Sequence, residues 1–181
     1  RYNPNNVDED MKEVVSSTGS SVSSVIDGDN FSHKYQWTTQ TVRLLGVDAP
    51  EASLTRYRHL ECFGTEAKNY LKSLIDKKRV LLQFDDTQEQ KDIYGRMLAY
   101  VYLDGVLINQ KMIEEGYAKE YTFKTPYRYQ SSFKDTEASA RAINKWLRNE
   151  KTCGLSMSGI LWTGDQEITG IQDLDLSRMH F

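Results

Sequence analysis

Cysteine is scarce: the chain holds two, Cys62 and Cys153, in 181 residues. That excludes a disulfide-dense scaffold and a four-thiolate zinc site. Histidine is scarce as well. His33, His59 and His180 lie far apart, and no HExxH or paired-histidine spacing occurs. No run approaches the ~18 apolar residues that a membrane-spanning helix needs. A strong charge of one sign is also missing. The 23 Lys and Arg against 26 Asp and Glu give a net charge of −3, and the pI is near 5.7. Binding of nucleic acid by bulk charge alone is therefore disfavoured. What is present, 39% hydrophobic and 27% charged residues, suits a soluble globular chain with one domain and a real core.

The charge is uneven. Residues 1–40 carry −3, residues 41–154 carry +3 and residues 155–181 carry −3. A mildly basic middle with acidic ends leaves room for an enzyme that grips a phosphodiester locally. Residues 1–20 are polar and aperiodic and read as a flexible arm, with a short helix conceivable over Glu9–Val15. Val22, Val25, Ile26 and Phe31 supply strand formers, interrupted by a turn or bulge at Asp27-Gly28-Asp29. Gln36 to Val47 reads as one strand, stopped by Asp48-Ala49-Pro50 because proline cannot donate to a ladder. Residues 51–63 read as a polar loop.

Thr65 is the expected cap of a helix whose apolar positions Ala67, Tyr70, Leu71, Leu74 and Ile75 recur at helical spacing. Strands follow at 79–85 and 96–103. Asp104-Gly105 is a hairpin signal, and a helix from Leu107 to Glu115 should stop at Gly116. After an aromatic connector over 117–128, a third helix is expected from Tyr129 to about Arg148. Its core candidates are Phe133, Ala140, Ile143 and Trp146. The pattern is α+β, because strands and helices do not alternate.

Four elements carry potential chemistry. Asp29 and Asp48 sit at strand ends beside glycine or proline turns, where backbone carbonyls are also available. Oxygen ligands without paired His or Cys favour calcium or magnesium over zinc; the plainer reading is a pair of turn-capping aspartates. Arg43 lies mid-strand among Val42, Leu44, Leu45 and Val47, sharing a face with Leu45 and Val47. A guanidinium there is either a rim salt bridge, with Glu51 as the candidate acid, or a fork aimed at a phosphate. Arg96, after Gly95 at a strand start, has the same two readings. Glu51, directly after Asp48-Ala49-Pro50, is placed to accept a proton from an attacking water or to cap a turn. Each signal is weak singly. Together they supply metal ligands, a base and two phosphate clamps, the inventory that phosphodiester hydrolysis requires.

The runs VIDGDN, VRLLGVDAPE, DIYGRMLAYVYLDG and EEGYAK resemble the staphylococcal nuclease (thermonuclease) family over roughly residues 21–150. The resemblance implies a five-stranded OB-fold β-barrel with three α-helices over residues 21–154. It implies a calcium-dependent nuclease that hydrolyses DNA and RNA and leaves 3′-phosphate ends. Asp29 and Asp48 match the family's calcium carboxylates, and Ala49 a position that offers its backbone carbonyl to the metal. Glu51 matches the acid that activates or orients water. Arg43 and Arg96 match the arginines on the scissile phosphate, Tyr94 a tyrosine near the nucleotide, and Asp27 an acid beside the metal site. A monomer, secreted or displayed at the cell surface, is the accompanying expectation. The alternative from another class is a non-catalytic OB-fold module that binds nucleic acid or protein; a third is a structural domain with calcium held for rigidity.

The chain also departs from the family. Positions where family tyrosines flank the bound base fall at Thr122 and Lys124, so that role is not carried over. Tyr121, Phe123, Tyr127 and Tyr129 lie nearby, either to stack on bases or to pack against the third helix. Cys62 and Cys153 are either two reduced thiols or one bridge closing a long loop, worth ~4–5 kcal/mol in chain-entropy terms. Residues 155–181 lie outside the resemblance and form an extension too apolar for a solvated linker and too short for a domain.

Overall fold

The computed structural model describes residues 19–35, 37–52, 62–143 and 145. The possible helix at 9–15, Trp146, Cys153 and the 155–181 extension lie outside the described residues. Strands β1 (Ser20–Val25), β2 (Asn30–Tyr35) and β3 (Thr38–Leu44) form an antiparallel meander. A two-residue β4 (Val47–Asp48) precedes helix α1 (Gly64–Ile75). Then come β5 (Arg79–Gln83), β6 (Met97–Leu103) and a short β7 (Val106–Leu107). Helix α2 (Ile108–Glu114), β8 (Lys119–Glu120) and α3 (Gln130–Ala142) complete the order. The sheet runs β3-β2-β1-β5-β6-β7, and a parallel β3–β6 pairing closes it. The five longer strands thus make a closed mixed barrel with three helices among the described residues, the OB-type α+β architecture expected.

Alternation builds the barrel interior. Phe31, His33, Val42 and Leu44 are almost wholly excluded from solvent, as are Val80, Ala99 and Val101, each inward on its strand. Burying such a side chain contributes roughly 1.5–3 kcal/mol. Burial also lowers the pKa of His33, which keeps it neutral near pH 7. Helix α1 closes one end through Ala67, Leu71 and Ile75, an i, i+4 stripe with zero exposure. Helix α3 is anchored by Phe133, whose ring meets those of Tyr100, Tyr127 and Tyr129 within 6.4 Å.

Two buried polar groups lock the connections that set the site. Asn109 opens α2; its Oδ1 accepts from Val101 N at 2.8 Å, and its Nδ2 donates to Leu45 O at 2.9 Å and Ala99 O at 3.1 Å. It fixes the turn at the exit of β3. Asp85 accepts from Tyr100 Oη, both polar groups of Thr87 and Arg128 N, all within 2.9 Å. Burial alone would raise this carboxyl, but those hydrogen bonds outweigh it and hold it below its ordinary value. It ties the β5–β6 loop to the connector before α3.

Several local expectations are corrected. The strand expected over residues 36–47 breaks at Leu45-Gly46, where Gly46 has φ +75° and a Cβ would enter the Tyr127 ring. Arg43 therefore leaves Leu45 and Val47 beyond the bend rather than sharing a strand face with them. Thr65 does not cap α1. The helix starts at Gly64, after Phe63 in the left-handed region with no side-chain cap bond. Helix α2 begins one residue late, since Val106 and Leu107 pair with β6. Its stop agrees with expectation: Gly116 has φ +77°, and its N–H donates to Ile113 O. The Asp104-Gly105 hairpin also holds, with both residues at positive φ. Helix α3 ends at Ala142, and Ile143 is 64% exposed, so it is not a core residue; the barrel surface beneath α3 is already covered by Phe133 and Ala140.

Candidate active site

The Asp27-Gly28-Asp29-Asn30 turn between β1 and β2 is the centre of the site. Asp27 Oδ1 accepts from Asp29 N at 3.2 Å and from Asn30 Nδ2 at 2.8 Å, so the side chain closes its own turn. Gly28 is required there. A Cβ would lie 2.6 Å from the Ala49 methyl and 2.7 Å from the Ala67 methyl, and neither methyl can rotate away. The contact presses the turn against β4 and α1. As a result Ala49 N donates to Asp29 Oδ2 at 3.0 Å.

Arg43 pairs directly with Asn30 across the β2–β3 ladder. Its Nη1 donates to Asp29 Oδ1 at 3.0 Å, and its Nη2 to Val47 O and Asp48 Oδ1, both at 3.4 Å. The acids it pairs with are thus Asp29 and Asp48, rather than the Glu51 considered from the sequence. Asp48 faces Lys119 across the β4–β8 pair, Nζ to Oδ2 3.1 Å. Glu51 is half-buried, and its backbone carbonyl lies against Gly64 at the start of α1.

Arg96 reaches the same turn from another loop. Its Nε donates to Asp92 Oδ2 at 2.6 Å and its Nη1 to Asn30 Oδ1 at 3.2 Å. Asp92 Oδ1 also accepts from the backbone N–H of Tyr94 and Arg96, both at 2.9 Å. Burial would raise the Asp92 carboxyl, yet these bonds and the guanidinium hold it below its ordinary value. Tyr94 is 71% exposed, with the Arg96 guanidinium carbon 5.2 Å from its ring centre.

Sequence reasoning therefore named Asp29, Arg43, Asp48, Arg96 and Tyr94, which the fold gathers around one turn, with Ala49 and Glu51 on the segment that follows β4. It missed three supporting residues. Asn30 joins the two arginines through Asp29, Asp92 builds the Arg96 loop, and Lys119 partners Asp48. Asn30 stood in the VIDGDN run, and its amide can donate and accept at once; Lys119 closed the EEGYAK run, but its pairing with Asp48 was not legible, because only the fold brings β8 beside β4.

The electrostatics favour a cation. Asp27 and Asp29 are both buried. Burial lifts the Asp29 carboxyl well above its ordinary value; Arg43 opposes this, and the Asp27 charge adds to it. Three carboxylates here surround one guanidinium, and Lys119 is the further cation on Asp48. Asp29 and Asp48 each place an oxygen within 3.4 Å of that guanidinium, on its two different terminal nitrogens. The donors are all oxygen, which suits a hard ion. Among the described residues no three His, Cys, Asp or Glu side chains cluster at metal-binding distance. An ion there would complete its shell with carbonyl, water and substrate oxygens, and the oxygen-only donors suit a hard divalent ion on those terms.

The aromatic connector divides. Tyr127 is buried in the core, its hydroxyl donating to Gly46 O at 3.2 Å and Glu120 Oε1 at 3.0 Å. Tyr129 packs against Phe133 and shares a hydroxyl hydrogen bond with Tyr102. Both serve packing. Phe123, at 70%, and Tyr121, at 40%, remain exposed. Thr122 is absorbed in hydrogen bonds to Glu120 and Gln130.

A family model described as "Staphylococcal nuclease homologue" matches residues 41–148. The chain belongs to the staphylococcal nuclease family. It is 36% identical over 129 residues to the thermonuclease of Staphylococcus intermedius, covering 70% of this chain and 75% of that one. It is 32% identical over 121 residues to the thermonuclease of Staphylococcus hyicus, covering 67% and 70%. It is also 31% identical over 141 residues to the SPbeta prophage-derived endonuclease YokF of Bacillus subtilis, covering 76% of this chain but 46% of that protein. The family resemblance and the barrel read from the sequence agree with these matches. Among the described residues no helix is long and apolar enough to cross a membrane.

Proposed function

We propose that this chain is a calcium-dependent nuclease that hydrolyses phosphodiester bonds of DNA and RNA and leaves 3′-phosphate ends. The observation that carries it is the Arg43–Asp29–Asn30–Arg96 chain of contacts, each link within 3.2 Å. It holds one guanidinium from β3 and one from the loop before β6 on opposite ends of one Asp-Asn pair. Two planar forks fixed that way suit a single phosphate group.

Asp29, Asp48 and the Ala49 carbonyl are the residues to hold calcium, which when bound supplies charge neutralisation of the phosphodiester. Arg43 and Arg96 stabilise the charge that builds on the phosphoryl oxygens, already oriented by Asp29, Asp48, Asn30 and Asp92. Glu51 takes a proton from the attacking water. Tyr94, stacked near Arg96, borders the nucleotide. Cys62 is disulfide-bonded, and the chain's other cysteine, Cys153, lies outside the described residues. A disulfide supports an oxidising compartment, hence secretion or surface display.

The test is cleavage of single-stranded DNA at low salt, first with calcium and then with a chelator, followed by analysis of the product ends. The expected result is cleavage that chelation abolishes and calcium restores, with 3′-phosphate termini. Cleavage indifferent to chelation, or 5′-phosphate products, contradicts the mechanism. Binding of DNA without cleavage assigns the chain to the non-catalytic modules, and calcium-raised stability without turnover to the structural ones.

A further inference from the structure

Arg96 and Asn30 also form the inner end of an open cleft of about 340 Å³. Thr39 and Thr41 line it from β3, and Lys91 and Tyr94 line it from the β5–β6 connection. Asp29, Arg43, Asp48 and Glu51 do not border it, so it leads away from the carboxylates. No acid is among its lining residues, and two cations are. That charge pattern suits a polyanion.

The hairpin beside the cleft has a consistent face. Residues alternate along a strand, so Thr39, Thr41 and Arg43 lie on one side of β3, opposite the buried Val42 and Leu44. Their ladder partners are Lys34, Ser32 and Asn30. Successive residues on this face stand about 7 Å apart, close to the step between phosphates in an extended strand. At the far end, in the turn between β2 and β3, Trp37 is 100% exposed. An indole wholly in water has no packing role, and bare aromatic faces serve as stacking platforms in single-strand binders.

We infer that this cleft is a second substrate subsite, taking the single-stranded nucleic acid that continues past the scissile phosphate on the side away from Asp48. Lys91 pairs with a phosphate, the Thr39 and Thr41 hydroxyls donate to backbone oxygens, and Trp37 stacks on a base. The assignment rests on the nuclease reading and extends it to a substrate longer than the reacting group.

The test compares wild type with a Trp37→Ala/Lys91→Gln double variant on a dinucleotide and on a single strand of about twelve nucleotides. Both side chains are exposed, and a thermal melt verifies folding. KM for the long strand is expected to rise about tenfold with kcat unchanged, while dinucleotide kinetics stay as in wild type. The Lys91→Gln single variant should lower the slope of log affinity against log salt by about 0.7. An unchanged KM for the long strand, or equal losses on both substrates, overturns the subsite. Equilibrium binding in chelator separates the two readings. If wild type cleaves neither substrate, the nuclease reading fails. The subsite then stands if affinity still grows with strand length and the double variant loses that growth, and it falls if affinity is indifferent to length.

Discussion

Arg43→Lys is expected to lower kcat on single-stranded DNA by about 10²–10³-fold, with a change in melting temperature of only a few degrees. The guanidinium reaches Asp29 with one nitrogen and Asp48 and Val47 O with the other. A lysine ammonium is a point charge and cannot span those partners while presenting a planar fork to a phosphate. The charge itself remains, so buried Asp29 keeps a neutralising neighbour and the barrel stays folded. Single-turnover cleavage alongside a thermal melt checks both halves. A variant within tenfold of wild type would mean that Arg43 is a structural rim salt bridge.

Gly64→Ala is expected to destabilise the protein by about 1–3 kcal/mol and to reduce kcat/KM by more than tenfold. In an ordinary helix the same change is stabilising, because alanine exceeds glycine in helix propensity by about 1 kcal/mol. Here the added Cβ would run into the carbonyl of Glu51. That obstacle is backbone, so the segment carrying Ala49 and Glu51 has to move. A displacement of about 1 Å in a catalytic group can cost 10²-fold. Denaturant unfolding and steady-state kinetics together decide it. A more stable or equally active Gly64→Ala protein would contradict this packing of α1 against the Glu51 segment.

Local signals and tertiary signals separate clearly in this chain. The Asp104-Gly105 turn, the Gly116 stop and the Ala67–Leu71–Ile75 stripe were legible because each depends on backbone preference or on periodicity within one element. The break at Gly46 was not. It exists because Tyr127, far along the chain, fills the space where a side chain would go. Ile143 failed as a core residue for a related reason: helical spacing shows which residues share a face, but not where the neighbouring surface ends. In the candidate site, residue type and turn position were enough to name the acids and arginines. Which acid each arginine meets was not legible. Arg43 faces Asp29 and Asp48, and Arg96 is held by Asp92 and Asn30. Those pairings arise from the β2–β3 register and the β3–β6 closure, which no local pattern encodes. Thr122, where the resemblance would place a base-flanking tyrosine, is engaged instead in a Thr122–Glu120–Gln130 network.

The proposed chemistry is phosphodiester hydrolysis beside the Asp27–Asn30 turn with Glu51 handling the proton. Single-turnover cleavage of one labelled DNA strand by wild type and by Glu51→Gln, in calcium, tests it most directly. Hydrolysis by wild type is expected, with a loss of about 10²–10⁴-fold in the variant and affinity for the strand unchanged. A Glu51→Gln protein that cleaves within a few-fold of wild type would contradict it.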